Sequence, residues 1–144
     1  MTETHIYATA LRWSQERKGI LSSQGLPDIE VATPPEFPKG HPGIWSPEHM
    51  FVAAAETCLM TTFLAIAEKS KLEFSAYSSE AVGTLEKTGA GYLITKILIK
   101  PQIEIPGHVQ TDRVLRIVEM AEKHCLISNS MTTEVNIAPE IISV

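Results

Sequence analysis

Cys58 and Cys125 are the only two thiols in the chain. A pair of thiols is either two inert core residues or a redox couple, since the thiolate is the nucleophilic form of the side chain. Cys58 lies in the most apolar stretch, Met50-Phe51-Val52-Ala53-Ala54-Ala55-Glu56-Thr57-Cys58-Leu59-Met60, and Cys125 closes an amphipathic segment ending Lys123-His124-Cys125-Leu126. Free cysteine is commonly a small buried hydrophobe. Desolvation in an apolar helix raises a thiol pKa, and a helix dipole acts only near the helix end. A nucleophilic Cys58 therefore needs a separate stabiliser. A guanidinium suits best, being always charged and rich in donors.

The arginines are Arg12, Arg17, Arg113 and Arg116. The last two fall on the polar face of a helix. Arg17 sits in Ser14-Gln15-Glu16-Arg17-Lys18-Gly19, a turn able to place it over a pocket, and Arg12 sits on a strand beside Trp13. Each taken alone reads as a surface residue. Glu48 shares the helix of Cys58 at a rise of about 15 Å, too far for contact within one chain. It reaches the Cys58 of a second copy if two such helices pack antiparallel, which predicts an obligate dimer. Cys58, Cys125, His49 and His124 supply metal-ligating atoms, but their spacing fits no compact zinc pattern. His124 suits a helix C-terminus. Glu56 reads as a helix residue whose carboxylate reaches a rim or a partner.

These groups need elements to hold them. Ile6–Trp13, Ile20–Ser23 and Asp28–Thr33 read as short strands, with Gln24-Gly25-Leu26-Pro27 as a turn. A long connection rich in Pro and Gly runs from Pro34 to Ser46, the kind of loop that is often functional or covers another subunit. Ser46 as N-cap, Pro47 at the first helical position and Glu48 in the first turn open a helix running to about Lys69. Its apolar residues lie nearly all round, which predicts burial on most faces. Phe74–Leu85 and Tyr92–Lys100 alternate at period two around a Thr88-Gly89-Ala90-Gly91 loop, and Pro101 and Pro106-Gly107 punctuate the end of the second strand. Val114, Leu115, Ile117, Val118 and Ala121 mark one face of a helix over Thr111–His124. A final strand covers Thr133–Ile137. The order βββ–α–ββ–α–β predicts a single α+β domain over 1–144.

A chain of 144 residues with 44% apolar side chains can bury a core. A net charge of −5 without a basic, aromatic-laced patch argues against nucleic acid. The N-terminus lacks the pattern of a secretory signal. The apolar run around Cys58 is interrupted by Glu56, which argues against a membrane span. The chain reads as a cytoplasmic protein, where thiols stay reduced, catalytic or metal-bound.

Ser46-Pro47-Glu48-His49-Met50-Phe51-Val52-Ala53-Ala54-Ala55-Glu56-Thr57-Cys58 resembles the N-P-E-x-L-x-x-A-x-x-x-C signature of the OsmC/Ohr family, the osmotically inducible and organic hydroperoxide resistance proteins. Ala90–Ile97 followed by Ile105-Pro106-Gly107 is similar to the family's central hairpin. Ala121-Glu122-Lys123-His124-Cys125-Leu126-Ile127-Ser128 resembles its A-x-x-x-C-P-x-S motif. The resemblance covers essentially the whole chain. It departs at Ser46, where the family has asparagine, and at Leu126, where it has proline.

The resemblance implies an OsmC-like fold, with antiparallel sheets wrapped around long central helices in an intertwined homodimer. It also implies a thiol peroxidase that needs no cofactor or metal. By position, Cys58 is its peroxidatic cysteine and Cys125 its resolving one. Glu48 is the glutamate that orients an arginine, with Arg17 in that place and Arg12 as the alternative. The expected partners are a hydroperoxide, an external dithiol reductant (lipoyl-type or other) and a second copy of the chain. Apolar surroundings at Cys58 favour an organic hydroperoxide over hydrogen peroxide. A binding or hydrolytic protein for small molecules or acyl groups on the same fold is the competing reading, because fold alone does not fix function.

Overall fold

Alternating apolar residues and tight turns build the N-terminal part of the computed structural model, which describes residues 3–144. Strands β1 (Ala10–Gln15), β2 (Lys18–Ser22) and β3 (Ile29–Ala32) form an antiparallel meander in the order β1-β2-β3. The first strand begins later than its sequence suggests; Ile6 to Thr9 carry no strand. Glu16 and Arg17 join β1 to β2, with Gln15 paired to Lys18 and Glu16 at φ 51°. The Trp13 indole N–H donates to the Glu16 carbonyl at 2.9 Å and braces this turn. Between β2 and β3, Gly25 takes φ 80° and Leu26 N–H bonds to the Ser23 carbonyl at 3.0 Å. The following loop is closed at its base, where His41 N–H donates to the Thr33 carbonyl at 2.9 Å. Gly40 packs so closely on the Pro34 carbonyl that any side chain would collide with it.

Helix α1 spans Pro47–Lys69. Ser46 caps it by accepting the His49 N–H at 3.1 Å. It ends with Lys71 at φ 54°, Leu72 N–H on the Ala67 carbonyl and Lys71 N–H on the Glu68 carbonyl. That pair of bonds is a Schellman stop, and Leu72 supplies its buried apolar contact. The chain divides into two compact units, one ending at Met50 and the other comprising Phe51–Val144.

The second unit is a sheet covered by helices. β4 (Ala76–Thr88) and β5 (Gly91–Ile105) form a long antiparallel hairpin with a two-residue loop. The Thr88 hydroxyl bridges that loop, donating to the Gly91 carbonyl and accepting the Ala90 N–H. The sheet is not antiparallel throughout. β6 (Glu134–Ile137) and β7 (Glu140–Ser143) both run parallel to β5, against residues 96–99 and 102–105. Pro101 does not end β5. It lies inside the strand and is buried, paired with Ser79 on β4, at the break between β6 and β7. A proline gives no N–H to a ladder, so its place is where one partner is interrupted. The parallel pairing requires a crossover, supplied by α2 (Thr111–His124) and the short α3 (Leu126–Asn129).

Ile97, Ile99, Ile103 and Ile105 of β5 pack with Val114, Ile117, Val118 and Ala121 of α2 and with Ala55, Leu59, Phe63 and Ala67 of α1. Phe63 is wedged against Phe74 and Tyr77 at ring-centroid distances of 5.5 and 5.2 Å. By length and apolarity α1 meets the requirement for crossing a bilayer, yet one stripe of it forms part of this core. It is not buried on most faces in the single chain. Phe51 and Leu64 keep 36% and 38% of their surface exposed.

Candidate active site

The core stripe of α1 carries Cys58, one residue before Leu59 and three after Ala55, so its thiol is drawn inward and is 8% exposed. Cys125 lies between α2 and α3 with φ −69° and ψ 102° and is 1% exposed. The extended backbone there halts α2 and turns the thiol towards α1, within 4.0 Å of the Ala55 carbonyl. Both thiols are free and they hydrogen-bond to each other. Two residues distant in sequence thus become neighbours.

Their surroundings treat them differently. Around Cys58, burial pushes the thiol pKa up, but donors to the sulfur outweigh it. These are the Ile127 N–H, the Cys125 thiol, the Thr62 hydroxyl and the Leu126 N–H, and together they hold the Cys58 thiol below its ordinary pKa. Thr62 lies one helical turn on, its Oγ1 at 3.9 Å from Sγ. The expectation that an apolar helix leaves Cys58 with a raised pKa is thereby corrected; besides Thr62 on the same helix, the donors come from beyond α2. For Cys125, burial pushes the thiol up and the Ser128 hydroxyl, donating at 3.3 Å, pulls it down. The bond and charge of Cys58 push it up again, and the net direction is up.

Behind the pair lies a polar group. Glu56 does not point to a rim; its Oε2 accepts the Ser79 hydroxyl at 2.6 Å, across to β4. The Tyr77 hydroxyl is buried without a partner among the described residues. Burial, with the charges of Glu56 and Cys125, pushes its pKa to about 12.

Arg17 and Glu48 belong to the first unit. Arg17 stands in the β1–β2 turn, its carbonyl tied to the Thr33 N–H at 3.2 Å and its side chain exposed. With Glu16, Lys39, Gly40 and His41 it lines a pocket of about 550 Å³. Arg12 projects from β1, exposed and opposite Ile20. Glu48 lies in the first turn of α1, and its Oε1 is buried without a hydrogen-bond partner among the described residues. Arg17 and Glu48 form no ion pair with each other in the single chain. Among the described residues no three His, Cys, Asp or Glu side chains gather as a metal site, so His49 and His124 do not join the two cysteines. His49 instead bonds Ser46 Oγ through Nδ1 at 2.6 Å.

The OsmC-like protein family model matches residues 40–140, from the loop before α1 to the start of β7. The chain belongs to this family. The OsmC-like chain is 27% identical to the uncharacterized protein YmaD of Bacillus subtilis (strain 168), over 97% of this chain and 95% of the relative. An OsmC-like protein of unknown function from Vibrio cholerae, 25% identical, superposes with a TM-score of 0.86 over 94% of this chain and 99% of the other. The organic hydroperoxide resistance protein OhrB of Bacillus subtilis, 18% identical, gives 0.66 over 95% and 98%. At that identity the likeness speaks for the fold. The α+β, OsmC-like architecture read from the sequence is the one observed.

Thr62 and the main-chain N–H groups of Leu126 and Ile127 had not been singled out in the sequence. Thr62 had a legible signal, four residues after Cys58 on one helix. The main-chain donors had none, because only the long-range approach of α1 to α3 reveals them.

Proposed function

We propose that this OsmC-like chain is a thiol peroxidase that reduces organic hydroperoxides at Cys58. The observation that carries the reading is a pair of adjacent thiols pushed in opposite directions, Cys58 down and Cys125 up. A nucleophile needs the first and a resolving thiol held in reserve tolerates the second.

The Cys58 thiolate attacks the terminal oxygen of ROOH. The O–O bond breaks, an S–O bond forms, and the alkoxide leaves as ROH after taking a proton. Cys58 is now a sulfenic acid. Cys125 attacks its sulfur, forming the Cys58–Cys125 disulfide and releasing water. An external dithiol reduces the disulfide by two exchange steps and is itself oxidised to a disulfide.

Arg17 is the guanidinium assigned to the thiolate and Glu48 the carboxylate that orients it, in a homodimer in which both units of each copy belong to one domain. Two features support this assembly. Glu48 has a buried carboxylate oxygen in want of a donor, and β1 exposes Leu11 at 67% and Trp13 at 75%. A cytoplasm supplies the reducing setting such a cycle needs.

The test is consumption of tert-butyl hydroperoxide and hydrogen peroxide with a dithiol, comparing wild type with Cys58→Ser. Activity lost in the variant and greater with the organic peroxide is expected. A folded, fully reduced and inactive wild type would sink the reading. Equal or faster turnover of hydrogen peroxide would sink its substrate class.

A further inference from the structure

Two segments of the N-terminal unit meet around one cavity. The β1–β2 turn supplies Glu16 and Arg17, the loop before α1 supplies Lys39, Gly40 and His41, and the space they enclose is about 550 Å³. Small-molecule sites commonly span about 300–1,000 Å³. Thr33 joins the two walls. Its N–H donates to the Arg17 carbonyl at 3.2 Å, and its carbonyl accepts the His41 N–H at 2.9 Å. The loop is braced from within by Phe37 N–H on the Pro34 carbonyl at 3.1 Å and Gly40 N–H on the Phe37 carbonyl at 3.0 Å. Glu16 and Lys39, one in each wall, both hold left-handed backbones, at φ 51° and 65°. Residues with side chains keep that conformation only where their surroundings enforce it.

The groups lining the cavity are not satisfied by one another. Among the described residues neither the Arg17 guanidinium nor the Lys39 ammonium forms an ion pair. His41 Nε2 is buried and has no hydrogen-bond partner among them. Arg17, Lys39 and Glu16 together carry one positive charge, which a monoanion balances and a dianion exceeds. A guanidinium fork matches the two oxygens of a carboxylate, and an ammonium adds a point charge beside it.

We propose that this cavity binds a small organic carboxylate, held by Arg17 and Lys39. Glu16 repels a second negative charge and so sets a preference for monoanions over phosphate dianions. The proposal goes beyond the peroxidase reading and needs neither thiol. Arg17 is also the guanidinium assigned above to Cys58; Lys39 belongs to the cavity alone.

Benzoate, its neutral analogue benzamide, and phenyl phosphate test it. Each is titrated into the reduced, isotope-labelled full chain at constant ionic strength and at about pH 8, where the phosphate is a dianion. Benzoate should shift the Arg17, Lys39, Gly40 and His41 amides saturably at about millimolar concentration. Benzamide should not saturate, and phenyl phosphate should bind more weakly than benzoate. Lys39→Met should weaken benzoate about tenfold, while Lys39→Arg should keep it. Glu16→Gln should tighten phenyl phosphate more than benzoate. Cys58→Ser should bind as the wild type does.

The wild-type comparisons need no variant. Absence of a saturable shift at these amides overturns the proposal, as does benzamide binding as tightly as benzoate. Phenyl phosphate binding more tightly than benzoate overturns the carboxylate class. Wild-type affinity in Lys39→Met, or an equal loss in Lys123→Met on α2, overturns the site. Binding lost in Cys58→Ser would put the anion at the thiol pair and overturn it too. No peroxide is used, so a chain without peroxidase activity can still pass, and a working peroxidase can still fail.

Discussion

Replacing Thr62 by valine removes the hydroxyl near the Cys58 sulfur and keeps the branched shape of the side chain. Hydrogen bonds to charged groups contribute about 1.5–3 kcal/mol at ordinary length. This one spans 3.9 Å from oxygen to sulfur, so its share is smaller, about 0.7 kcal/mol, which moves the Cys58 midpoint up by about half a pH unit. Well below both midpoints the thiolate fraction then falls about threefold. A more basic thiolate is also a better nucleophile, with a Brønsted slope of about 0.4–0.5, which returns roughly 1.7-fold. The net expectation is reaction about twofold slower at pH well below both midpoints and about 1.7-fold faster at pH above both.

The two pH–rate curves should therefore cross. Stopped-flow alkylation or peroxide reduction on reduced protein reads this directly, and Thr62→Ser should move the profile back towards wild type. A packing defect cannot produce a crossing, because it slows reaction at every pH. Parallel curves, or coincident ones, would refute the assignment of Thr62 as a donor.

Other perturbations follow from the same packing. A Cβ at Gly83 would lie 2.5 Å from Val52 Cγ2, so Gly83→Ala should cost about 1–3 kcal/mol in urea denaturation, and adding Val52→Ala should recover part of it. Ser46→Ala removes the cap of α1 and strips His49 of both its bonds to Ser46 Oγ; a loss of about 1 kcal/mol is expected, and an unchanged urea midpoint would refute the cap's contribution. Tyr77, with its pKa raised from 10.0 to about 12, is still protonated in the folded chain when the unfolded chain has lost that proton. Its contribution to stability is therefore intact below pH 10 and disappears as pH rises towards 12. Tyr77→Phe should flatten that alkaline decline in pH-dependent denaturation.

Local chemistry was legible where it is complete within a few residues. Ser46-Pro47-Glu48 fixes the start of α1 because cap, first position and first-turn charge are contiguous. The apolar face of α2 gave both its ends, Thr111 and His124. Pro101 misled because its tolerance depends on β6 and β7 parting beside it, a fact held by a segment more than thirty residues away. β7 was missed since four residues after Pro139 show no period of their own. α3 was missed for the same reason. At the site, the cysteine pair stood out by type and motif. The direction of the Cys58 pKa did not, because apolar neighbours in sequence announce desolvation while all its donors but Thr62 arrive from beyond the end of α2.

Burial pushes both thiols up, and Cys125 lies the deeper of the two. Donors to the sulfur reinforce that order. Cys58 receives two peptide N–H groups and a hydroxyl besides its partner thiol. Cys125 is served by Ser128 and faces the negative charge of Cys58. A proton shared within the pair therefore resides on Cys125, which leaves Cys58 as the anion and Cys125 as the donor to it. Interacting thiols titrate as a pair, so ionising Cys58 itself suppresses ionisation of Cys125. That suppression lasts only while Cys58 carries its charge. Conversion to a neutral sulfenic acid removes it and makes the Cys125 thiolate easier to form, at the stage of the proposed cycle when Cys125 must attack. Trapping the sulfenic acid in wild type and comparing the Cys125 alkylation midpoint before and after oxidation puts this ordering to measurement. A midpoint that rises or stays fixed on oxidation would remove the electrostatic basis for the sequence of the two thiols.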